Sequence, residues 1–132
     1  MIPYDSNFDP PAIILSVSVA GVVHRRPRVD VPALIDTGAD ISAVPESLTE
    51  KLKLYPFGRL NLEDANAILT PVYTYEANVA FNGQPAKKMQ FVRTPYPFVI
   101  LGRDWLEGYY MLLDGPGQRF QLSREPLSIQ ET

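Results

Sequence analysis

Ala33-Leu34-Ile35-Asp36-Thr37-Gly38-Ala39-Asp40 is the stretch on which the reading of this chain turns. Two bulky apolar residues run into an acid, and Thr and Gly follow at once. An apolar strand end of this kind buries its carboxylate, and a carboxylate taken out of water must pair, find donors or neutralise. Thr37 offers a hydroxyl, and Gly38 lets the backbone turn sharply and approach another group closely. Asp36 is thus expected to be a buried acid with its donors beside it in sequence. A bare Asp-Thr-Gly is more often an Asx-type turn at a strand end, so the surroundings have to decide.

The surroundings read as β-structure. Residues 12–20 alternate, with Ile13, Leu15, Val17 and Val19 against Ser16 and Ser18. A turn over 21–28 and a strand over 29–35 complete a hairpin that delivers Asp36 into the next loop. A short strand is expected over 41–44. A helix near 45–53 follows, opened by Pro45, whose missing N–H costs nothing in a first helical turn. Leu60 and Leu62 alternate with polar residues, and Tyr73, Tyr75, Ala77, Val79 and Phe81 share one strand face opposite Thr74, Glu76 and Asn78. Asn82-Gly83 is a strong two-residue hairpin signal, and Met89 and Phe91 continue the pattern on the return strand. A second decisive stretch is Phe98-Val99-Ile100-Leu101-Gly102-Arg103-Asp104-Trp105-Leu106, an apolar strand ending in Gly-Arg-Asp. Asp104 is expected to cap a short helix near 104–108, ended by Gly108. Strands over 110–113 and 120–122, joined by a turn at Asp114-Gly115-Pro116-Gly117, make a last hairpin. The expectation is an all-β, barrel-like domain over 12–123, with an N-terminal arm over 1–11 and a polar tail over 124–132.

Composition narrows the chemistry. At 132 residues there is room for one domain but not for two lobes of ~100–150 residues. The 13 prolines disfavour long helices. The net charge of −3, with no basic run beyond His24-Arg25-Arg26, disfavours nucleic acid. With no cysteine there is no disulfide, thiol nucleophile or thiolate metal site, which suits the cytoplasm. The single His24 cannot build a histidine metal cluster, and it sits among arginines where a Ser-His-Asp triad is ill placed. The apolar run over 12–23 lacks a preceding Lys or Arg and is too short to span a bilayer. No metal, cofactor or membrane is expected.

The two motifs together, apolar-apolar-Asp-Thr-Gly-Ala-Asp and then Ile-Leu-Gly-Arg-Asp, resemble those of the retropepsin-like aspartic proteases, over most of the chain. The resemblance implies a single-lobe acid-protease barrel assembled as a two-fold homodimer around a shared cleft, with Asp36 catalytic and a polypeptide substrate. Chemistry independently asks for a second acid. Two carboxylates a few ångströms apart cannot both ionise, so a facing pair shares one proton and can act as base and acid together. Asp114-Gly115 echoes the first motif but reads as a hairpin turn, which leaves symmetry to supply the partner. By resemblance, the two copies of Thr37 interlock beneath the acids, Gly38 contacts substrate through its backbone, and Ala39 completes the loop. Arg103 of the Gly102-Arg103-Asp104 motif then packs behind that loop and pairs with Asp40. Position places a flap between 62 and 72, with Ala65, Asn66, Ala67, Ile68, Leu69 and Thr70 at its tip. That segment departs from the retroviral pattern in having no glycine. Ile68, Leu69 and Ile100 are apolar candidates for contacts with the peptide, Ile100 being as readily core. The alternatives are a retropepsin-like dimerisation or peptide-binding module without useful proteolysis, and an unrelated monomeric β-barrel with Asp36 as a structural turn.

Overall fold

The computed structural model describes residues 1–23 and 27–128. His24-Arg25-Arg26, within the expected first turn, and the end of the polar tail lie outside the described residues. The chain runs β1 (Ile2–Pro3), β2 (Ile14–Gly21), β3 (Arg28–Ile35), β4 (Ala43–Pro45), α1 (Glu46–Lys51), β5 (Pro56–Glu63) and β6 (Leu69–Ala80). It continues through β7 (Lys87–Thr94), β8 (Val99–Leu101), α2 (Arg103–Leu106), β9 (Tyr110–Asp114) and β10 (Arg119–Ser123). Seven strands hydrogen-bond in the order β2-β3-β8-β4-β7-β6-β5, and a further β2–β6 pairing closes the sheet on itself. The result is a barrel from which the β5–β6 hairpin extends. A separate sheet, β1-β10-β9, joins the two ends of the chain.

Alternation explains the barrel. In β2 and β3 the inward residues Leu15, Val17, Val19, Val31, Ala33 and Ile35 are buried, as period two requires of a strand with one face on a core. Tyr75, Ala77 and Val79 of β6 and Met89 and Phe91 of β7 close the same core. Trp105, Phe91, Phe120 and Leu101 are its largest fully buried side chains, each apolar side chain worth roughly 1.5–3 kcal/mol of burial. Asn82 and Gly83 both have positive φ, 51° and 71°, and the Gln84 N–H donates to the Phe81 carbonyl at 3.0 Å. That is the backbone a primed two-residue turn demands.

Four local expectations need correction. The strand expected over 41–44 forms as β4, Ala43–Pro45, while Ser42 becomes a buried polar residue ahead of it. Pro45 is the N-cap of α1, in extended conformation, and does not occupy the first helical turn. Thr74, expected on the outer face, is buried and donates to Gln90 Oε1 at 3.1 Å. A bulge between Pro56 and Gly58 brings backbone over it, and a Cβ at Gly58 would lie 3.2 Å from Thr74 Oγ1. Asp104 is not the N-cap of α2, which is Gly102; from inside the helix its carboxylate accepts the Trp105 N–H and is otherwise bonded by Ser42. The N-terminal arm, for its part, is held on the domain. Ile2 and Pro3 pair with Phe120 and Arg119, and Asp5 bridges to Ala12.

Candidate active site

Two parallel strands set the candidate site. β3 and β8 pair in register Ala33 to Val99, Leu34 to Ile100 and Ile35 to Leu101, so both end at one level. The Asp36 N–H donates to the Leu101 carbonyl at 3.0 Å, and the Ile35 N–H donates to the Ile13 carbonyl at 3.0 Å. The backbone carrying the acid is thus fixed on both sides. Beyond it the chain turns: the Ala39 N–H donates to the Asp36 carbonyl at 3.2 Å, and the Gly38 N–H donates to Asp36 Oδ1 at 2.9 Å. This is the Asx-type turn that the tripeptide alone suggested. A Cβ on Gly38 would lie 3.3 Å from that same oxygen.

The turn rests on the second motif. The Arg103 N–H donates to the Ala39 carbonyl at 2.8 Å. A Cβ at Gly102 would stand 2.7 Å from that carbonyl oxygen and 3.2 Å from its carbon, a collision with backbone that cannot swing away. Glycine is required at 102 by close approach.

Ser42, which carried no signal in the sequence, ties these parts together. Its side chain is wholly buried. The hydroxyl donates to Asp104 Oδ1 at 2.7 Å and accepts the Gly102 N–H at 3.0 Å. The Ser42 N–H donates to Asp104 Oδ2 at 3.0 Å, and the Trp105 N–H to Asp104 Oδ1 at 2.9 Å. The carboxylate thus accepts three donors, each bond charge-assisted. A Ser two residues past the second motif acid, before a strand, is too common a pattern to single out.

One further expectation is corrected. On the single chain Asp36 is exposed, not buried, because the loop lifts it from the end of β3 onto the surface. Thr37 and Gly38 beside it are exposed too, and among the described residues the Thr37 hydroxyl has no hydrogen-bond partner. Arg103 and Asp40 do form an ion pair, but their side chains are 63% and 81% exposed. An exposed pair of this kind is worth about 0–1 kcal/mol. On the single chain, the backbone bond to Ala39 and the Ser42–Asp104 network hold the loop more firmly than the Arg103 guanidinium does.

The segment expected as a flap is the β5–β6 hairpin. Ala65, Asn66, Ala67 and Ile68 form its turn, Leu69 and Thr70 begin β6, and all are exposed. Asp64 does the work a glycine would do. Its Oδ1 accepts the N–H groups of Asn66 at 2.8 Å and Ile68 at 3.0 Å. Ala67 takes the left-handed conformation at φ 61°, which a residue with a Cβ adopts at a cost of about 1–2 kcal/mol. Across the hairpin stem, Arg59 donates to the Tyr73 hydroxyl at 3.1 Å and lies over the same ring at 4.9 Å.

Outward-facing residues continue the site along the strands. Pro32, Leu34 and Asp36 of the β3 segment share one side by period two, and Phe98, Ile100 and Gly102 share it on the β8 segment. Ile100 and Leu34 are half-buried there. Ile100 therefore lies on the outer face beside the acid, while Val99 and Leu101 point into the core.

No family model and no curated protein sequence matches the chain. Solved structures do. The simian foamy virus (mac) protease is 18% identical with a TM-score of 0.54, covering 72% of this chain and 92% of that one. The EIAV protease, in complex with an inhibitor, is 20% identical with a TM-score of 0.52, covering 73% of this chain and 86% of that one. A foamy viral protease–reverse transcriptase is 18% identical with a TM-score of 0.54 over 91% of this chain and 13% of that one. With a barrel closed by β2–β6, Asp-Thr-Gly at the end of β3 and Gly-Arg-Asp at the end of β8, this chain has the retropepsin-like fold of the retroviral proteases.

Proposed function

We propose that the chain is an aspartic endopeptidase that works as a two-fold homodimer, each subunit giving one Asp36 to a shared site. One observation carries the reading. A carboxylate on an Asp-Thr-Gly turn, in a retropepsin-like fold, stands exposed at the end of β3 on a backbone bonded from both sides. A single exposed acid is a poor catalyst for amide hydrolysis, and the fold has no second Asp-Thr-Gly to face it. Asp114 caps its own hairpin turn, accepting the Gly117 N–H at 2.9 Å and Arg119 Nε at 2.8 Å.

In the dimer the two carboxylates share one proton. The ionised one takes a proton from water, and the water oxygen attacks the peptide carbonyl carbon. The protonated one gives its proton to the carbonyl oxygen, forming a gem-diol. The protonated carboxyl then gives its proton to the amide nitrogen while a gem-diol hydroxyl gives its proton to the ionised carboxylate; the C–N bond breaks, releasing acid and amine, and the dyad again holds one proton. No covalent enzyme intermediate is required. The exposed hairpin tip, with Ile68 and Leu69 58% exposed, would close over the peptide and exclude water.

A peptide library offered to the purified protein at acid pH, beside Asp36→Asn, tests this. Cleavage should fall by about 10²–10⁴ in the variant and peak below neutrality. Equal cleavage by both proteins refutes the reading. A second reading, a dimeric peptide-binding module without proteolysis, draws on the Asp64-bonded flap tip, which has no glycine to flex. It predicts peptide binding unchanged by Asp36→Asn and no cleavage by either protein.

A further inference from the structure

A recess of about 330 Å³ opens at the C-terminal end of α2, the end away from the Asp36 loop. Its walls come from three places. The turn between β6 and β7 gives Phe81, Pro85 and Lys87, the end of α2 gives Trp105 and Tyr109, and the start of the C-terminal tail gives Arg124. Trp105 stacks on Tyr109, centroids 4.4 Å apart at 24°, and meets Phe81 edge-on at 6.0 Å and 79°. The Tyr109 hydroxyl donates to Gln84 Oε1 at 2.6 Å, which ties the helix end to the turn. The rings are thus held in place before a ligand arrives, and binding need not order them.

Two cations line the same recess. Arg124 lies over the Tyr109 ring, 5.6 Å from its centroid, and among the described residues its guanidinium donates to no acceptor. Lys87 Nζ donates to the Asp104 carbonyl at 2.8 Å and pairs with Glu107 at 3.6 Å. The Glu107 side chain is 73% exposed, and a pair open to water is weakly held. A guanidinium and an ammonium each carry several N–H groups, so both cations keep donors for an anion. Aromatic walls favour a flat ring through edge and offset contacts, and fixed cations beside them favour an acid group on that ring. The volume is at the lower end of the roughly 300–1,000 Å³ of small-molecule sites, which suits one or two rings. We infer that this recess binds a small aromatic carboxylate, its ring among Phe81, Trp105 and Tyr109 and its carboxylate on Arg124 and Lys87. The site shares no residue with the Asp36 loop, so it stands whether or not the chain cleaves peptides.

Trp105 is the only tryptophan of the chain, so its indole N–H gives a single NMR signal from the floor of the recess. Naphthoate is titrated into the full chain while that signal is followed. Naphthamide serves as the uncharged probe of the same shape, and acetate as the anion without a ring. Naphthoate should shift the signal saturably, with a Kd at or below about 1 mM. Naphthamide and acetate should each bind about ten-fold more weakly or worse. Arg124 is exposed, so its replacement leaves the core untouched. Arg124→Gln should weaken naphthoate about ten-fold, and Arg124→Lys, which keeps the charge, should weaken it less; unfolding midpoints establish that both variants are folded. A shift that is absent or still linear at about 10 mM naphthoate overturns the inference. Naphthamide binding as tightly as naphthoate overturns it too, since the recess would then be an apolar crevice alone. So does acetate binding as tightly, or an affinity for naphthoate unchanged in Arg124→Gln.

Discussion

Ser42→Ala removes the hydroxyl that connects the two halves of the support beneath the Asp36 loop, and its cost can be worked from the geometry. The side chain is 0% exposed, so water cannot replace it. Its bond to the Asp104 carboxylate, 2.7 Å long, is charge-assisted and worth about 1.5–3 kcal/mol net. Its second bond, from the Gly102 N–H at 3.0 Å, is neutral, and losing it strands a buried donor at a cost of about 1–3 kcal/mol. Asp104 keeps the Ser42 and Trp105 N–H groups, which limits the loss. The expected destabilisation is about 2–4 kcal/mol, or a fall in Tm of roughly 10 °C for a domain of this size. Urea unfolding at fixed protein concentration, with m unchanged, measures it. Because Gly102 also faces the Ala39 carbonyl, peptide cleavage should fall further than the lost folded fraction explains. In a cycle with Asp104→Asn, the coupling energy should be about 1–3 kcal/mol. A destabilisation under about 0.5 kcal/mol, or no coupling, would refute the claim that this network holds the loop.

Gly102→Ala should cost at least as much as Ser42→Ala and abolish cleavage, since the added Cβ would stand 2.7 Å from the Ala39 carbonyl oxygen; near-normal stability by the same unfolding assay would count against the close approach. Asp40→Asn should shift stability by less than about 1 kcal/mol, as should Arg103→Lys, because both side chains are largely exposed; a larger loss in a monomeric sample would show the pair is stronger than its exposure implies. Asp114 is held below its usual value of 3.8, first by the hydrogen bond from Arg119 and then by that from Gly117. A lowered folded value means its contribution is present above pH 3.8 and is lost as pH falls through the folded value. The Asp114 carboxyl should titrate below 3.8 by NMR, and Asp114→Asn should remove that part of the acid limb of stability.

Where a signal is local, the sequence carried it. The β2–β3 hairpin follows from strict alternation, the Asn82-Gly83 turn from two residues that tolerate positive φ, and the Asp36 turn from a short acid followed by Thr-Gly. What escaped depends on residues far apart in the chain. Ser42 acquires its role from Asp104, and Thr74 is buried by a bulge at Gly58 and by Gln90. Asp36 illustrates a different gap. The apolar run before it announces a strand end pointing into the core, yet the acid is the first residue beyond that end and emerges on the surface. The tip of the β5–β6 hairpin shows how a rule based on one residue type fails: Asp64 and a left-handed Ala67 achieve the turn without glycine.

The central claim is that one active site needs Asp36 from two chains. Wild-type protein, fully dimeric and held at fixed concentration, would be mixed with Asp36→Asn protein, left to exchange subunits and assayed for peptide cleavage. A shared site predicts dominant loss. An equal amount of variant should lower the activity to about half and a nine-fold excess to about a tenth, as random pairing of subunits requires. Cleavage that stays at the wild-type level through the whole titration, with subunit exchange demonstrated by mass, would contradict it.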